Sequence, residues 1–188
     1  EAKVYRGKYA NNTKWSYDTK TKTVIIECRG ELPDDHHGSA GWRDYYLKAK
    51  KVIFKKGITS IGEGAFYNFQ KLEEVVLPEG LKTIKDSAFF TCIRLKKINV
   101  PTSLRTIGAS AFSETEFNAF SLERVKKIGN MCFSGSKIKE VYLSKDCRTS
   151  SLVFWGSEDL KKVTIEKGVK KISYGMFCDT ALKTIDIP

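Results

Sequence analysis

Histidine is nearly absent from this sequence of 188 residues, and the only two, His36 and His37, are adjacent. A catalytic pair built on imidazole would have to bring its nucleophile to that one loop, where Cys28 is the only nearby thiol. Nothing meets the geometric roles that define a catalytic site, so the chain reads as a non-enzyme without a cofactor. The five cysteines, Cys28, Cys92, Cys132, Cys147 and Cys178, contain no CxxC pair, and an odd number cannot all pair within one chain. Cys92, Cys132 and Cys178 flank a recurring phenylalanine and read as small buried apolar residues. No apolar run approaches the roughly 18 residues of a spanning helix, so no membrane span is expected. The first residue is Glu1 with no basic-then-apolar leader after it, which reads as a mature or trimmed chain.

Arginine is also scarce. The formal net charge is +11, but Lys outnumbers Arg 26 to 7, and bidentate phosphate recognition favours Arg. DDHH, Asp34 to His37, is the only cluster with the chemistry of a metal site; lacking a second spaced ligand pair, it reads as a structural loop. Asn11-Asn12-Thr13 is a glycosylation sequon, relevant only to a secreted eukaryotic chain.

What the sequence does have is a phrase that returns. GITSIGEGAF (Gly57 to Phe66) is followed by LKTIKDSAF (Leu81 to Phe89) and LRTIGASAF (Leu104 to Phe112). Aligned on phenylalanine, the column is Phe66, Phe89, Phe112, Phe133, Phe154 and Phe177, at spacings of 23, 23, 21, 21 and 23. Such a period marks stacked coils. A second column holds β-prone triplets: Val52 to Phe54, Val75 to Leu77, Ile98 to Val100, Phe120 to Leu122, Val141 to Leu143, Val163 to Ile165 and Ile185 to Ile187. Five residues before the Phe stand Ile61, Ile84, Ile107, Ile128 and Ile172. Burying some five side chains at ~1.5–3 kcal/mol each does not offset ordering a whole coil at ~1–2 kcal/mol per residue, so a coil is stable only in a stack.

IGEGAFYNFQKLEEVVLP and IKDSAFFTCIRLKKINVP resemble the BspA-like (Treponema pallidum type) leucine-rich repeats over roughly Val52 to Pro188. The resemblance implies an α/β solenoid of about six coils of 21–23 residues, with a parallel sheet on one face and short helical or 3-10 turns elsewhere. It departs at the fifth coil, LSKDCRTSSLVFW, where the Ile-Gly step is missing and a bulge or shifted loop is expected. Residues 1–51 do not repeat and read as a capping region. Strands are expected around Trp15 to Tyr17 and Thr23 to Cys28, then a short amphipathic helix carrying Trp42, Tyr45, Tyr46 and Leu47. Residues 52–188 then form the array, open at its C-terminal coil, where Tyr174, Phe177, Leu182 and Ile185 are expected to promote self-association.

Two surfaces are candidates for function. With the first and third residue of each triplet buried, the strand face presents Lys51, Ile53, Glu74, Val76, Lys97, Asn99, Tyr142, Lys162 and Thr164, a mixed surface suited to a protein ligand. Just before the isoleucine column run Lys82, Arg105, Lys126, Lys127, Lys170 and Lys171, a basic ladder suited to a sulfated glycan or otherwise an ordinary solvated face. Family resemblance implies an extracellular or cell-surface interaction module of adhesion type, binding a protein on a host surface or in matrix. The alternatives are a polyanion binder and the targeting domain of a larger enzyme.

Overall fold

The computed structural model describes every residue, Glu1–Pro188. Fourteen strands follow one another: β1 (Val4–Tyr9), β2 (Thr13–Asp18), β3 (Thr23–Glu27), β4 (Gly30–Glu31), β5 (Lys51–Phe54), β6 (Ile58–Ile61), β7 (Glu74–Val76), β8 (Thr83–Ile84), β9 (Lys97–Ile98), β10 (Thr106–Ile107), β11 (Lys127–Ile128), β12 (Glu140–Leu143), β13 (Arg148–Thr149) and β14 (Lys162–Ile165). The first sheet has the order β1-β2-β3-β5-β7-β9, antiparallel through β3 and parallel from there on. A second, wholly parallel sheet runs β13-β11-β10-β8-β6-β4, and β12 pairs with β14 in a third. Most coils thus contribute one strand to each of two walls of a parallel-sheet solenoid. No helix is long and apolar enough to cross a membrane.

The interior repeats as its columns demand. Ile61, Ile84, Ile107 and Ile128 are fully buried, as are Phe66, Phe89, Phe112, Phe133 and Phe154. Successive phenylalanine rings stack along the axis with centroids 5.8, 5.4, 5.8, 5.6 and 5.8 Å apart. Adjacent coils are set by strand pairing at ~4.7–4.9 Å, so the rings must slide sideways into the offset stack that aromatic quadrupoles prefer.

The Ala-Phe turns are not helical, contrary to expectation, and the backbone shows why. Two residues before each Phe the chain is left-handed, at Gly64, Ser87, Ser110, Met131, Leu152 and Gly175; two residues after it is left-handed again, at Asn68, Thr91, Glu114, Gly135, Gly156 and Asp179. Left-handed residues cannot continue an α-helix. They turn the intervening N–H groups along the solenoid axis instead. Phe66 N donates to Ala88 O, Phe89 N to Ala111 O, Phe112 N to Cys132 O, and Phe133 N to Val153 O, at 2.8–2.9 Å. The turn wall is therefore laddered like a sheet.

Three further expectations change. The amphipathic helix over Trp42 to Leu47 is only a five-residue 3-10 helix, Gly41–Tyr45. Trp42 is drawn into the core, stacking on Phe66 at 5.9 Å and donating Nε1–H to Ala65 O at 2.8 Å. By Lys50 the chain must already be bonded to Lys22 O, which leaves no length for an α-helix. Residues 23–50 consequently form a coil of their own: β3 pairs parallel with β5 and β4 with β6, and the first sheet runs through position 51 without a break. The count is also lower than six. About five turns close between β5 and β14; Ile185 to Ile187 form no strand, and no backbone group beyond Cys178 enters a backbone hydrogen bond. Finally, the fifth coil is regular, with Arg148 and Thr149 in register against Lys127 and Ile128. Thr149 replaces the missing isoleucine and bonds its hydroxyl to Ser173 Oγ at 2.9 Å.

The irregularity lies one coil earlier. Phe120 to Leu122 keep their buried side chains but form no strand, which separates the first sheet from the third. Phe117 and Phe120 stand where neighbouring coils have Leu and Val or Ile, and they pack on Phe112 at 5.5 and 5.2 Å. Two rings fill more of the interior than the aliphatic side chains of the neighbouring coils, and the backbone that carries them pairs in no sheet.

Two outcomes test this packing. Phe89 sits between Phe66 and Phe112 with no exposed surface, so Phe89→Ala should cost about 3–5 kcal/mol in denaturant melts; a loss under about 1 kcal/mol would contradict the register. Burial pushes the Cys92 thiol up to about 12, Cys132 well above its usual range and, with Lys126 opposing, Cys147 up to about 11. Cys178, expected to be buried, is exposed because no strand follows to cover it. Alkylation of the native protein at pH 8, read by peptide mass spectrometry, should label Cys178 first, since thiolate fraction and access set the rate. Equal labelling of Cys92 would contradict the core assignment.

Candidate interaction surfaces

The outer face of the first sheet gathers six of the strand-face residues. Register places Lys51 opposite Glu74, Ile53 opposite Val76 and Glu74 opposite Lys97. The N-terminal strands extend this face in a way the repeat alone did not reveal: Ile25 lies opposite Ile53, and Ser16 opposite Ile25. The result is an apolar row, Ile25–Ile53–Val76, crossing three strands, with every member half-buried. One flank is the row Thr23–Lys51–Glu74–Lys97, with Lys51 Nζ 2.9 Å from Glu74 Oε1. The other is Lys8–Lys14–Glu27. Asn99 closes the face by bonding both polar groups of one neighbour: its Oδ1 accepts from Leu77 N at 2.7 Å and its Nδ2 donates to Leu77 O at 2.8 Å. Tyr142, Lys162 and Thr164 are not part of this patch. They lie on the third sheet, where Tyr142 faces Thr164 and Lys162 Nζ is 3.4 Å from Glu140 Oε2.

The basic ladder is continuous in its backbone. Arg105 N donates to Lys82 O at 2.9 Å, Lys126 N to Arg105 O at 2.8 Å, and Arg148 N to Lys126 O at 2.9 Å. Arg148, in register with Lys127, belongs to it, although its coil lacks the Ile-Gly phrase that marks the column in the sequence. Lys170 and Lys171 share a shallow concavity of about 500 Å³ with Cys147 and Arg148. Several charges here are already engaged. Lys126 Nζ lies 3.1 Å from Asp146 Oδ2, and Arg105 Nη1 donates to Thr102 O and Leu104 O at 2.7 and 3.0 Å. Glu166 bonds the Lys145 backbone N–H and its ammonium, which holds the carboxyl below its usual range and raises Lys145.

The DDHH loop is consumed by structure. Asp35, buried, accepts from Ser39 N and Ala40 N at 2.8 and 3.1 Å. Asp34 accepts from Glu63 N at 2.8 Å and Lys85 Nζ at 3.2 Å. Desolvation opposes its ionisation, but these partners prevail and lower its pKa. His36 is 3.6 Å from Asp34 and 3.5 Å from Glu63, so this loop ties three coils together. No group of three or more His, Cys, Asp or Glu is placed to hold a metal ion.

No curated protein matches the chain. In solved structures the same fold appears in a leucine-rich repeat protein from Eubacterium ventriosum, with TM-score 0.78 and 22% identity over 90% of this chain and 45% of that one. A leucine-rich repeat protein from Bacteroides ovatus superposes with TM-score 0.59 and 20% identity, over 100% of this chain and 58% of its own. The T. pallidum leucine-rich repeat protein gives 0.56 and 18%, over 94% and 86%. The chain therefore spans about half the length of the first two. The model of the BspA type leucine-rich repeat region matches residues 44–151 and 94–188 in six copies. With its phenylalanine column, its parallel walls and this match in agreement, the chain belongs to the BspA-type leucine-rich repeat family.

Proposed function

We propose that this chain is a non-enzymatic interaction module, displayed outside the cell or on its surface, which binds a protein partner through the outer face of the first sheet. The observation that carries this reading is the in-register apolar row Ile25–Ile53–Val76, flanked along its length by Thr23–Lys51–Glu74–Lys97 and, beside Ile25, by Lys8–Lys14–Glu27. Apolar centre with polar rim is the anatomy of protein contacts. The face is rigid because each of its strands continues into the stacked core, so little ordering entropy is lost on binding. Lys51, Glu74, Lys97 and Asn99 set its rim; Tyr142, Lys162 and Thr164 form a separate, smaller patch. Self-association belongs to the same reading, since β14 has a strand on one side only.

A direct test is a panel of immobilised extracellular-matrix and cell-surface proteins probed with the chain and with an Ile53→Lys, Val76→Lys double variant. Binding to a panel member should weaken at least about tenfold, since two charges would be pressed into an apolar contact. Equal binding by a variant with unchanged melting temperature would overturn the assignment of this face.

A second reading keeps the ladder Lys82, Arg105, Lys126, Lys127, Lys170 and Lys171 as a sulfated-glycan site, favoured by the coil-to-coil backbone bonds that join Lys82, Arg105, Lys126 and Lys127. Replacing Lys82, Arg105, Lys126 and Lys170 by Ser removes four of 33 cationic residues. If the ladder is a defined site, elution from immobilised heparin should fall to much lower salt. Unchanged elution would leave the ladder as a solvated face.

A further inference from the structure

A groove opens where the N-terminal hairpin, the 3-10 helix and the first coils meet, with a volume of about 690 Å³, within the range of small-molecule sites. One wall is aromatic. Tyr45 stacks on Tyr17 at 4.0 Å and meets Tyr5 at 5.7 Å, and Tyr5 leaves 45% of its surface open to the groove side of the sheet. Leu47 is similarly exposed beside it. Desolvation raises both Tyr17 and Tyr45, keeping these phenols neutral donors.

The groove is also lined by cations, and three of them form a repeat column. Lys48, Lys71 and Arg94 follow one another at intervals of 23 residues. The chain two positions later is bonded coil to coil, Glu73 N to Lys50 O and Lys96 N to Glu73 O, which stacks the three side chains at strand spacing, ~4.7–4.9 Å per step. Lys22 joins them in the groove. Lys48, Lys71, Arg94 and Lys22 form no ion pair. Lys50 does, with Glu73 at 3.0 Å, and Asp44 supplies the one carboxylate lining the groove.

We propose that this groove binds an acidic oligosaccharide, whose sugar faces lie against Tyr5 and Tyr45 while its sulfate or carboxylate groups meet Lys48, Lys71 and Arg94. The combination decides the class. Free cations at regular steps call for a polymer with anions at regular steps, and an exposed aromatic wall beside them gives the apolar faces of sugar rings a platform that a chain of carboxylates alone would not use. Arg94 at the end of the column adds a fork matched to planar or tetrahedral oxyanions. The site is distinct from both the strand face and the ladder at Lys82, so its failure leaves the protein-binding reading where it stands.

The test uses short, defined probes, because a chain of net charge +11 will retain long polyanions non-specifically. A heparin-derived tetrasaccharide and an unsulfated tetrauronate are titrated calorimetrically against the full chain and three variants. Lys71→Ser with Arg94→Ser should weaken whichever saccharide binds by about tenfold or more. Lys8→Ser with Lys14→Ser, which removes the same charge from the outer sheet face, should change it by less than about twofold. Tyr5→Ala should weaken binding about fivefold through lost stacking without altering the salt dependence. The tighter of the two probes identifies sulfate or carboxylate as the recognised anion. Absence of binding by both, equal losses in the two cation variants, or hexaglutamate binding as tightly as the saccharides with no effect of Tyr5→Ala, would overturn the proposal.

Discussion

Everything in this molecule depends on one stacked column. Trp42, Phe66, Phe89, Phe112, Phe133, Phe154 and Phe177 lie ring on ring along the axis, at 5.4–5.9 Å between centroids. The same turns that hold the rings also pass backbone hydrogen bonds from coil to coil. Side-chain stacking and backbone pairing therefore act in the same direction and at the same spacing, and each enforces the other. A coil that lost its ring would also lose the alignment of its N–H donors. This coupling explains why left-handed backbone is accepted even at Met131 and Leu152, which have side chains that disfavour it: strain of ~1–3 kcal/mol per residue persists only where the surrounding ladder fixes the conformation.

The period also writes the electrostatics. Lys50–Glu73, Lys51–Glu74, Lys96–Glu116, Lys126–Asp146, Lys137–Asp159, Lys145–Glu166 and Lys162–Glu140 all join residues one coil apart. Exposed pairs of this kind are worth ~0–1 kcal/mol each, so they tune the surface more than they hold it. Their real effect is to sort the charges. Where a coil offers a carboxylate to its neighbour, the lysine is spoken for; where three successive coils all offer cations, as at Lys48, Lys71 and Arg94, the charge is left over. Excess charge in a repeat protein is thus found as columns.

Much of this was legible in the letters. The phenylalanine and isoleucine columns, five of the seven strand triplets and the family follow from spacing and wording, because most coils meet the same interior. Trp42 was not recognised as the head of the column, since it is a different residue, 24 positions before Phe66, in a stretch without the phrase. The absent helices were not legible either: apolar spacing does not report that Ser87, Thr91 or Glu114 will take positive φ, which follows from the pull of the adjacent coil. The fifth coil looked irregular because Thr149 is not isoleucine, yet a threonine hydroxyl paired with Ser173 fills the place. The fourth looked regular because Phe120 is β-prone, yet it forms no strand. Of the two candidate surfaces, alternation groups the strand-face residues on one side of their strands, but it does not report that Tyr142, Lys162 and Thr164 lie on a separate sheet. The Lys48, Lys71, Arg94 column obeys the same 23-residue period and was readable; it lies before the strand, whereas the basic ladder was sought after it.

The ends of the apolar row bear on the recognition we propose. A solenoid face can in principle lengthen without limit, and a partner could slide along equivalent coils. Here the apolar row is bounded: beyond Val76 the next outward residue in the row is Asn99, whose amide is turned back onto both backbone groups of Leu77. That side chain is already satisfied and offers no apolar surface. On the other side the row meets Ser16 of the antiparallel hairpin and, opposite it, the cation Arg6. For the protein partner we propose, three apolar residues with fixed polar ends specify one position, whereas an unbroken row would permit several. Asn99 and the N-terminal hairpin thus bound, at both ends, a row that the repeat alone would continue.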